Sequence, residues 1–354
     1  MNDERFLQPL VEHLLLYIGF QQTLAYVSSR KEYYKERRWL IEHHAIVDWA
    51  NVDCFSDDIV IKYQSAIIDK LKQLDSLPSS LTNLTFGDSF NQSINNVTPP
   101  PTLTHLTFGY YFDQSLDNVM LPPKLTHLTF GCAFDQPLDN VSLPPTLTHL
   151  TCGVSFNRPL DNVTLPPKLT HLSFSDGFDQ SLDNVTLPST LTHLTFDWDF
   201  NQPLDKVMLP PTLTHLTFGH DFDQSLDNVT LPSTLTLLTF GHFFNQPLDN
   251  VTLPPTLTHL TFGDDFDQPL DNMMLPPTLT HLTFGYDFNQ PLDNVTLPLT
   301  LTHLTFGYSF DQSLDNVTLP STLTHVTLVD VYRWPLDCLS PRVTTVVWLQ
   351  QMTS

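Results

Sequence analysis

Ten histidines recur at one fixed interval, at His105, His127, His149, His171, His193, His215, His259, His281, His303 and His325, with Leu237 breaking the series. Imidazoles in a row can ligate metal, move protons or form a pH-sensitive face. A metal would need two or three of them to converge on one ion at about 2.0 to 2.1 Å, and the threonines beside each histidine are poor ligands. If the interval is that between paired strands, two charged rings about 4.8 Å apart repel by about 0.9 kcal/mol in water. The row is therefore expected to be mainly neutral at neutral pH and to lie on a solvated face.

The carboxylates fall into two rows. Asp117, Asp139, Asp161 and Asp183 begin one that continues along the chain, and it is expected to lie exposed. No D-x-D-x-D-G loop accompanies it, so calcium is not implied. In the other row Asn157, Asp179, Asn201, Asp223, Asn245, Asp267, Asn289 and Asp311 alternate, which keeps carboxylates off successive units. There is no unique Ser/His/Asp or Cys/His set, no P-loop and no pair of general acids. Residues repeated this often do not build one asymmetric catalytic centre. The expectation is a protein without catalytic residues, cofactor or bound metal.

What positions these rows is a repeat. Leucine stands at 81, 103, 125, 147, 169, 191, 213, 235, 257, 279, 301 and 323, every 22 residues. One unit reads LPPTLTHLTFGDDFDQPLDNMM, from Leu253 to Met274, with apolar marks at Leu257, Leu260, Phe262, Phe266, Leu270, Met273 and, opening the next unit, Leu275. So few apolar positions cannot form an independent core, and the units must stack. Leu260 and Phe262 alternate with His259 and Thr261, which predicts a short half-buried strand. The recurring Leu-Pro leaves no room for a long helix. Each coil is thus one strand, a Phe-Gly turn, an irregular Pro-Leu-Asp-Asn-Val segment and a Leu-Pro return, with strands pairing in parallel from coil to coil. Two phenylalanine rows, such as Phe218 with Phe240 and Phe222 with Phe244, are expected to stack. The asparagine row Asn96, Asn118, Asn140, Asn162, Asn184, Asn228, Asn250, Asn272, Asn294 and Asn316 is expected to satisfy turn backbone or its own members. Lys206 interrupts it and predicts a locally open coil.

These features resemble the FNIP repeat family, a short relative of leucine-rich repeats. The carrying residues are Phe156-Asn157-Arg158-Pro159, Phe200-Asn201-Gln202-Pro203, Phe244-Asn245-Gln246-Pro247 and Phe288-Asn289-Gln290-Pro291, within the frame Leu-Pro-x-x-Leu-Thr-x-Leu. Alternate copies read Phe-Asp-Gln-Ser, as at Phe178 to Ser181. The resemblance implies a mainly β solenoid and a eukaryotic cytoplasm, that of a host if the chain is viral.

Three segments follow: 1–76, the array at 77–328, and a degenerate capping repeat at 329–354. In the last, Val343, Val346 and Trp348 imitate the strand pattern, and Trp348 is expected to close the core. The first segment has no repeat. Leu10, Leu14, Tyr17 and Ile18, then Leu24, Val27, Lys31 and Tyr34, have helical spacing, and Ile59 to Leu74 predicts a third helix, giving a small α-helical head. Its stretch from Phe6 to Leu15, with Ile18 and then Val27 to Tyr34, resembles an F-box. That implies a Skp-type adaptor gripped through Leu10, Leu14, Leu15, Ile18 and Val27, with the array holding a target for a cullin ubiquitin ligase. The alternative is a scaffold or ligand-binding solenoid with no ubiquitin connection.

A formal charge of -23 argues against nucleic acid and anionic membrane and favours partners bearing Lys and Arg. No stretch is long and apolar enough to span a bilayer. The cysteines Cys54, Cys132, Cys152 and Cys338 form no C-x-x-C pair and are expected to be reduced. For recognition, the informative positions are those that vary inside the fixed frame, just after Phe-Gly. They supply Tyr110, Tyr111, Trp198, Asp199, His220, His242, Phe243, Tyr286 and Tyr308 as candidate partner-binding residues.

Overall fold

The computed structural model describes residues 46–48, 65–68, 70–71, 77, 79–95, 97–329 and 332–348. The F-box-like stretch and its candidate adaptor residues Leu10, Leu14, Leu15, Ile18 and Val27 lie outside these, as do Cys54 and Asn96.

Among the described residues fifteen strands form one parallel sheet in chain order, from β1 (Ile46–Asp48) and β2 (Ser65–Ile68) through β3 (Asn83–Phe86) to β14 (His325–Val329) and β15 (Thr344–Trp348). Between β3 and β14 every strand pairs with its neighbour 22 residues away, as in Leu238 with Leu260 and Leu260 with Leu282. The alternation in the sequence is the cause. In β9 (His215–Thr217), for example, Leu216 is buried between half-buried His215 and Thr217. Three tight turns complete each coil: Phe222 N–H donates to the Gly219 carbonyl, Val229 N–H to Leu226 and Leu235 N–H to Pro232. The leucines, phenylalanines and valines between these corners form one continuous core from Ala66 to Leu328.

Both phenylalanine rows stack as expected. Phe218 meets Phe240 at 5.7 Å, Phe222 meets Phe244 at 6.1 Å, and within one coil Phe218 meets Phe222 at 3.9 Å. Burying one such ring contributes about 2 to 3 kcal/mol, which offsets part of the cost of ordering its coil. Cys152 occupies a phenylalanine position; it is buried, and its thiol is pushed up to about 12 by desolvation. Cys132 and Cys338 are also free thiols.

Several expectations are corrected. The helix read over Ile59 to Leu74 does not hold in its described part: Ser65–Ile68 is a strand, with Ala66 and Ile68 inward and Ile67 half-buried. A period of two over β-branched residues, paired with β3, prevails over the helical spacing. Among the described residues no α-helix occurs, so the helical head finds no support there. Asn118, Asn140 and Asn162 stand exposed at the Leu-Asp-Asn-Val corner, and Asn118 adopts φ 64°. Lys206 opens nothing, because Val207 N–H still closes its turn on Leu204 and the ammonium reaches back to Asp183 at 3.2 Å. Asp139 and Asp161 are exposed, but Asp117 and Asp183 are half-buried, each with one shielded oxygen lacking a partner. The β14–β15 register sets Thr345 and Val347 opposite buried Val326 and Leu328, whereas Val346 and Trp348 lie opposite Thr327 and Val329.

Two outcomes follow for stability. A Cβ on Gly241 would overlap the Gly219 carbonyl of the previous coil, so Gly241→Ala is expected to cost about 1 to 3 kcal/mol. Cys152→Phe restores the ring that its neighbours possess and is expected to gain about 1 kcal/mol. Thermal melts of both variants check these directions.

Candidate functional site

The sheet face is built first by threonine. Thr236 N–H and its hydroxyl both donate to the Thr214 carbonyl, at 2.8 and 3.0 Å across successive coils. Here the preceding residue of each histidine does double service. Thr126 Oγ1 lies 3.0 Å from the Thr104 carbonyl and 2.9 Å from His127 Nδ1. A carbonyl only accepts, so the hydroxyl donates to it and the imidazole Nδ1–H donates to the hydroxyl, leaving Nε2 outward. Successive rings stack, with His127 and His149 at 4.1 Å, and the row is interrupted at Leu237. Stacked parallel rings do not aim their nitrogens at one point. Among the described residues no group of three His, Cys, Asp or Glu could hold a metal ion.

The alternating Asp/Asn row supplies a ladder that its spacing alone did not disclose. Asn201 Oδ1 accepts from Asp223 N–H at 3.0 Å and from Gln224 Nε2 at 2.9 Å, and Asp223 Oδ1 then accepts from Asn245 and Gln246. Both residue types offer the same Oδ1 acceptor, which is why they interchange. Asp113 and Asp135 are successive carboxylates, and Arg158 in place of glutamine pairs with Asp135 at 2.8 Å. Asp311 ends the row on Arg333, whose guanidinium holds that carboxyl below its ordinary range.

The variable positions form a rim at the Gly-x-x-Phe turn. Their backbone is fixed from coil to coil: Asp221 N–H donates to the Trp198 carbonyl at 2.8 Å, Phe243 N–H to His220 at 2.9 Å and Asp265 N–H to His242 at 2.8 Å. Side chains can therefore vary here without loosening the support. Tyr110, Tyr111, Trp198, Phe243 and Tyr286 are 44 to 59% exposed, Asp199 is exposed, and His220, His242 and Tyr308 are half-buried.

The structure gathers these residues into three groups. Tyr110 and Tyr111 meet edge to face at 4.7 Å, beside a groove of about 280 Å³ floored by Phe108, Gly109, Gly153 and Cys152. Trp198, His220 and His242 stack at 4.4 and 4.6 Å, and the Phe243 ring meets the edges of both histidines. Tyr286 and Tyr308 form a third pair at 5.0 Å. Carboxylates line the middle group: Asp221 lies 2.6 Å from His220 Nδ1, and Asp264 lies 3.0 Å from His242 Nδ1. Asp197 was not singled out from the sequence, although Phe-Asp-Trp-Asp places an acid where most coils have glycine. Its carboxyl is raised above the ordinary range by partial burial, then by the charge of Asp176.

The fold is a leucine-rich-repeat-like solenoid whose variable aromatic positions lie at one set of turns. The FNIP Repeat model matches in overlapping segments across residues 72–330, and the chain belongs to the FNIP repeat family. Among solved structures it is similar to CroV588, a circular leucine-rich-repeat protein, at 37% identity and a TM-score of 0.62, over 76% of this chain. The chain spans 50% of the length of that protein. It also resembles in fold an internalin, inlF, of Listeria monocytogenes, at 16% identity and a TM-score of 0.53, over 75% of this chain and 80% of that one. The Toll–Spatzle complex of Drosophila matches at 12% identity and a TM-score of 0.55, over 81% and 43% respectively. No curated protein matches the chain. Among the described residues no helix is long and apolar enough to cross a membrane.

The histidine row predicts a pH dependence. His127, His149, His171, His193, His281 and His303 have pKa values below the ordinary 6.5, first through burial and then through neighbouring imidazoles. Below 6.5 the unfolded chain binds more protons than the folded one, so stability falls as pH drops through 6.5 toward the folded values and is flat above. Thermal midpoints between about pH 7 and pH 5 should decline. A double His149→Leu and His171→Leu variant should decline less, since Leu237 shows that leucine fits the row.

Proposed function

We propose that the array is a protein-binding scaffold and that its rim is the contact surface. The observation that carries this reading is the set of exposed aromatic residues on a backbone hydrogen-bonded from coil to coil. Rigid aromatic side chains lose little freedom on contact and dominate binding energy where they are buried by a partner. The surrounding aspartates and the net charge of -23 favour a basic partner. Tyr286→Ala with Tyr308→Ala, and separately Tyr110→Ala with Tyr111→Ala, should each weaken partner binding at least about tenfold while leaving the melting temperature unchanged. Quantitative binding to a captured partner checks this. Undiminished binding in both pairs would place the contact elsewhere.

Within this reading the favoured role is substrate receptor of an F-box ubiquitin ligase in the cytoplasm, with residues 1–76 bound to a Skp-type adaptor. Its support is the resemblance carried by Phe6 to Tyr34. A scaffold without ubiquitin connection is the alternative. Co-purification of the full chain with a Skp-type adaptor separates them. Leu14→Asp and Ile18→Asp should abolish capture if the head is an F-box, and failure of the unaltered chain to retain the adaptor leaves the plain scaffold.

A further inference from the structure

The central ring stack of the rim has one closed end and one open end. At the closed end Asp264 accepts from His242 at 3.0 Å. At the open end one face of Trp198 lies against His220, tilted by only 8°, while the preceding coil presents Asp176 and Gly177 and no ring. In the 22-residue register Asp176 stands opposite Trp198 on that coil, and among the described residues no ring stacks on that face of the indole. Trp198 is 54% exposed; Asp199 N–H bonds to the Asp176 carbonyl at 2.8 Å, which sets Asp176 on the adjoining coil, and Asp197 directly precedes the indole in the chain.

We propose that the open face of Trp198, with Asp176 and Asp197, is a subsite for an arginine side chain of a partner polypeptide. This rests on the rim being the protein-binding surface and names the chemistry that one part of it selects. A guanidinium is planar, so it can lie on the indole as the next member of the stack. Its fork of N–H donors can meet two carboxylates at once. A lysine ammonium offers a point charge and no plane. Calcium takes six or more oxygen ligands, which this pair does not approach.

Among the described residues no cation is ion-paired with Asp176 or Asp197. Arg158 is paired with Asp135, Lys206 with Asp183 and Arg333 with Asp311. The influences on Asp197 agree: burial and Asp176 both disfavour its charge, and only the amide of Trp198 acts the other way. An incoming guanidinium would relieve the repulsion between the two acids. The stack beneath is held for this purpose by Asp221 on His220 and by the Phe243 edge.

The test uses the full chain and a short peptide of alternating glycine and arginine, with lysine and citrulline versions as probes. Calorimetry should give binding of the arginine peptide about tenfold tighter than the lysine peptide, and loss of binding with citrulline, which keeps the shape without the charge. Trp198→Ala, Asp176→Asn and Asp197→Asn should each weaken the arginine peptide by about fivefold to tenfold, and Trp198→Ala should bring arginine and lysine to similar affinity. Unchanged thermal melts confirm that each variant is folded. Equal affinity for arginine and lysine in the unaltered chain, no effect of Trp198→Ala, or calcium displacing the peptide would each overturn the proposal. If protein binding depends on Tyr286 and Tyr308 but not on Trp198, the arginine subsite fails and the scaffold reading stands. If no rim variant matters, the scaffold reading itself fails.

Discussion

The structure depends on a coil-to-coil register of 22 residues in which strand amides, threonine hydroxyls and a row of Asp/Asn side chains of one winding bond to the next. A parallel strand of three residues, such as His215–Thr217, cannot hold itself together. It persists because backbone amides, threonine hydroxyls and the Asp/Asn side chains all bond the same neighbouring coil. Thr236 uses both its N–H and its hydroxyl on the Thr214 carbonyl, while Asn245 uses its N–H on Asp223. The apolar residues supply the driving force, but they are directionless. The hydrogen bonds fix which coil faces which, and a slip of one residue would turn Leu238 outward and Leu237 inward.

This explains which parts of the architecture were readable before any coordinates. Leu257, Leu260, Phe262 and Phe266 declare themselves because burial selects residue type directly and the repeat multiplies the signal. Rows that could be either corner or ladder do not declare themselves. Asn118 and Asn201 are both asparagines at the same interval, yet one sits exposed with φ 64° and the other accepts two donors from the next coil. Their difference lies in which way the chain turns between Phe and Pro, and composition carries no direct record of that. Outside the repeat the same weakness decides against Ser65 to Ile68: an isolated apolar run fits a helix or a strand, and only the edge offered by β3 selects the strand.

Repetition also disciplines charge. A carboxylate repeated on every coil would repel its neighbours along the whole array. In the Asp/Asn ladder this is relieved by alternation with asparagine and, where Asp113 and Asp135 are successive, by Arg158. On the histidine face relief comes from neutrality, since both desolvation and the adjacent rings disfavour protonation. Asp176 and Asp197 are a different case. Among the described residues no cation pairs with either, and the charge of Asp176 adds to desolvation in raising the carboxyl of Asp197.

A uniform array offers a partner many equivalent places and hence no preferred one, so specificity must come from departures. The glycine column shows how such a departure is tolerated. At Gly219, Gly241 and Gly263 the coils approach so closely that a side chain has no room, yet the equivalent positions in two earlier coils are Ser175 and Asp197. Ser175 accommodates its hydroxyl by donating to the carbonyl of Cys152, an interior position where a phenylalanine has become smaller. Just beyond, Asp197 and Trp198 project from turns whose backbone bonds are the same as in every other coil, as Asp199 N–H donating to the Asp176 carbonyl at 2.8 Å attests. The support remains periodic while the surface does not. That separation allows one location in a chain of near-identical windings to acquire its own chemistry without weakening the register that holds it.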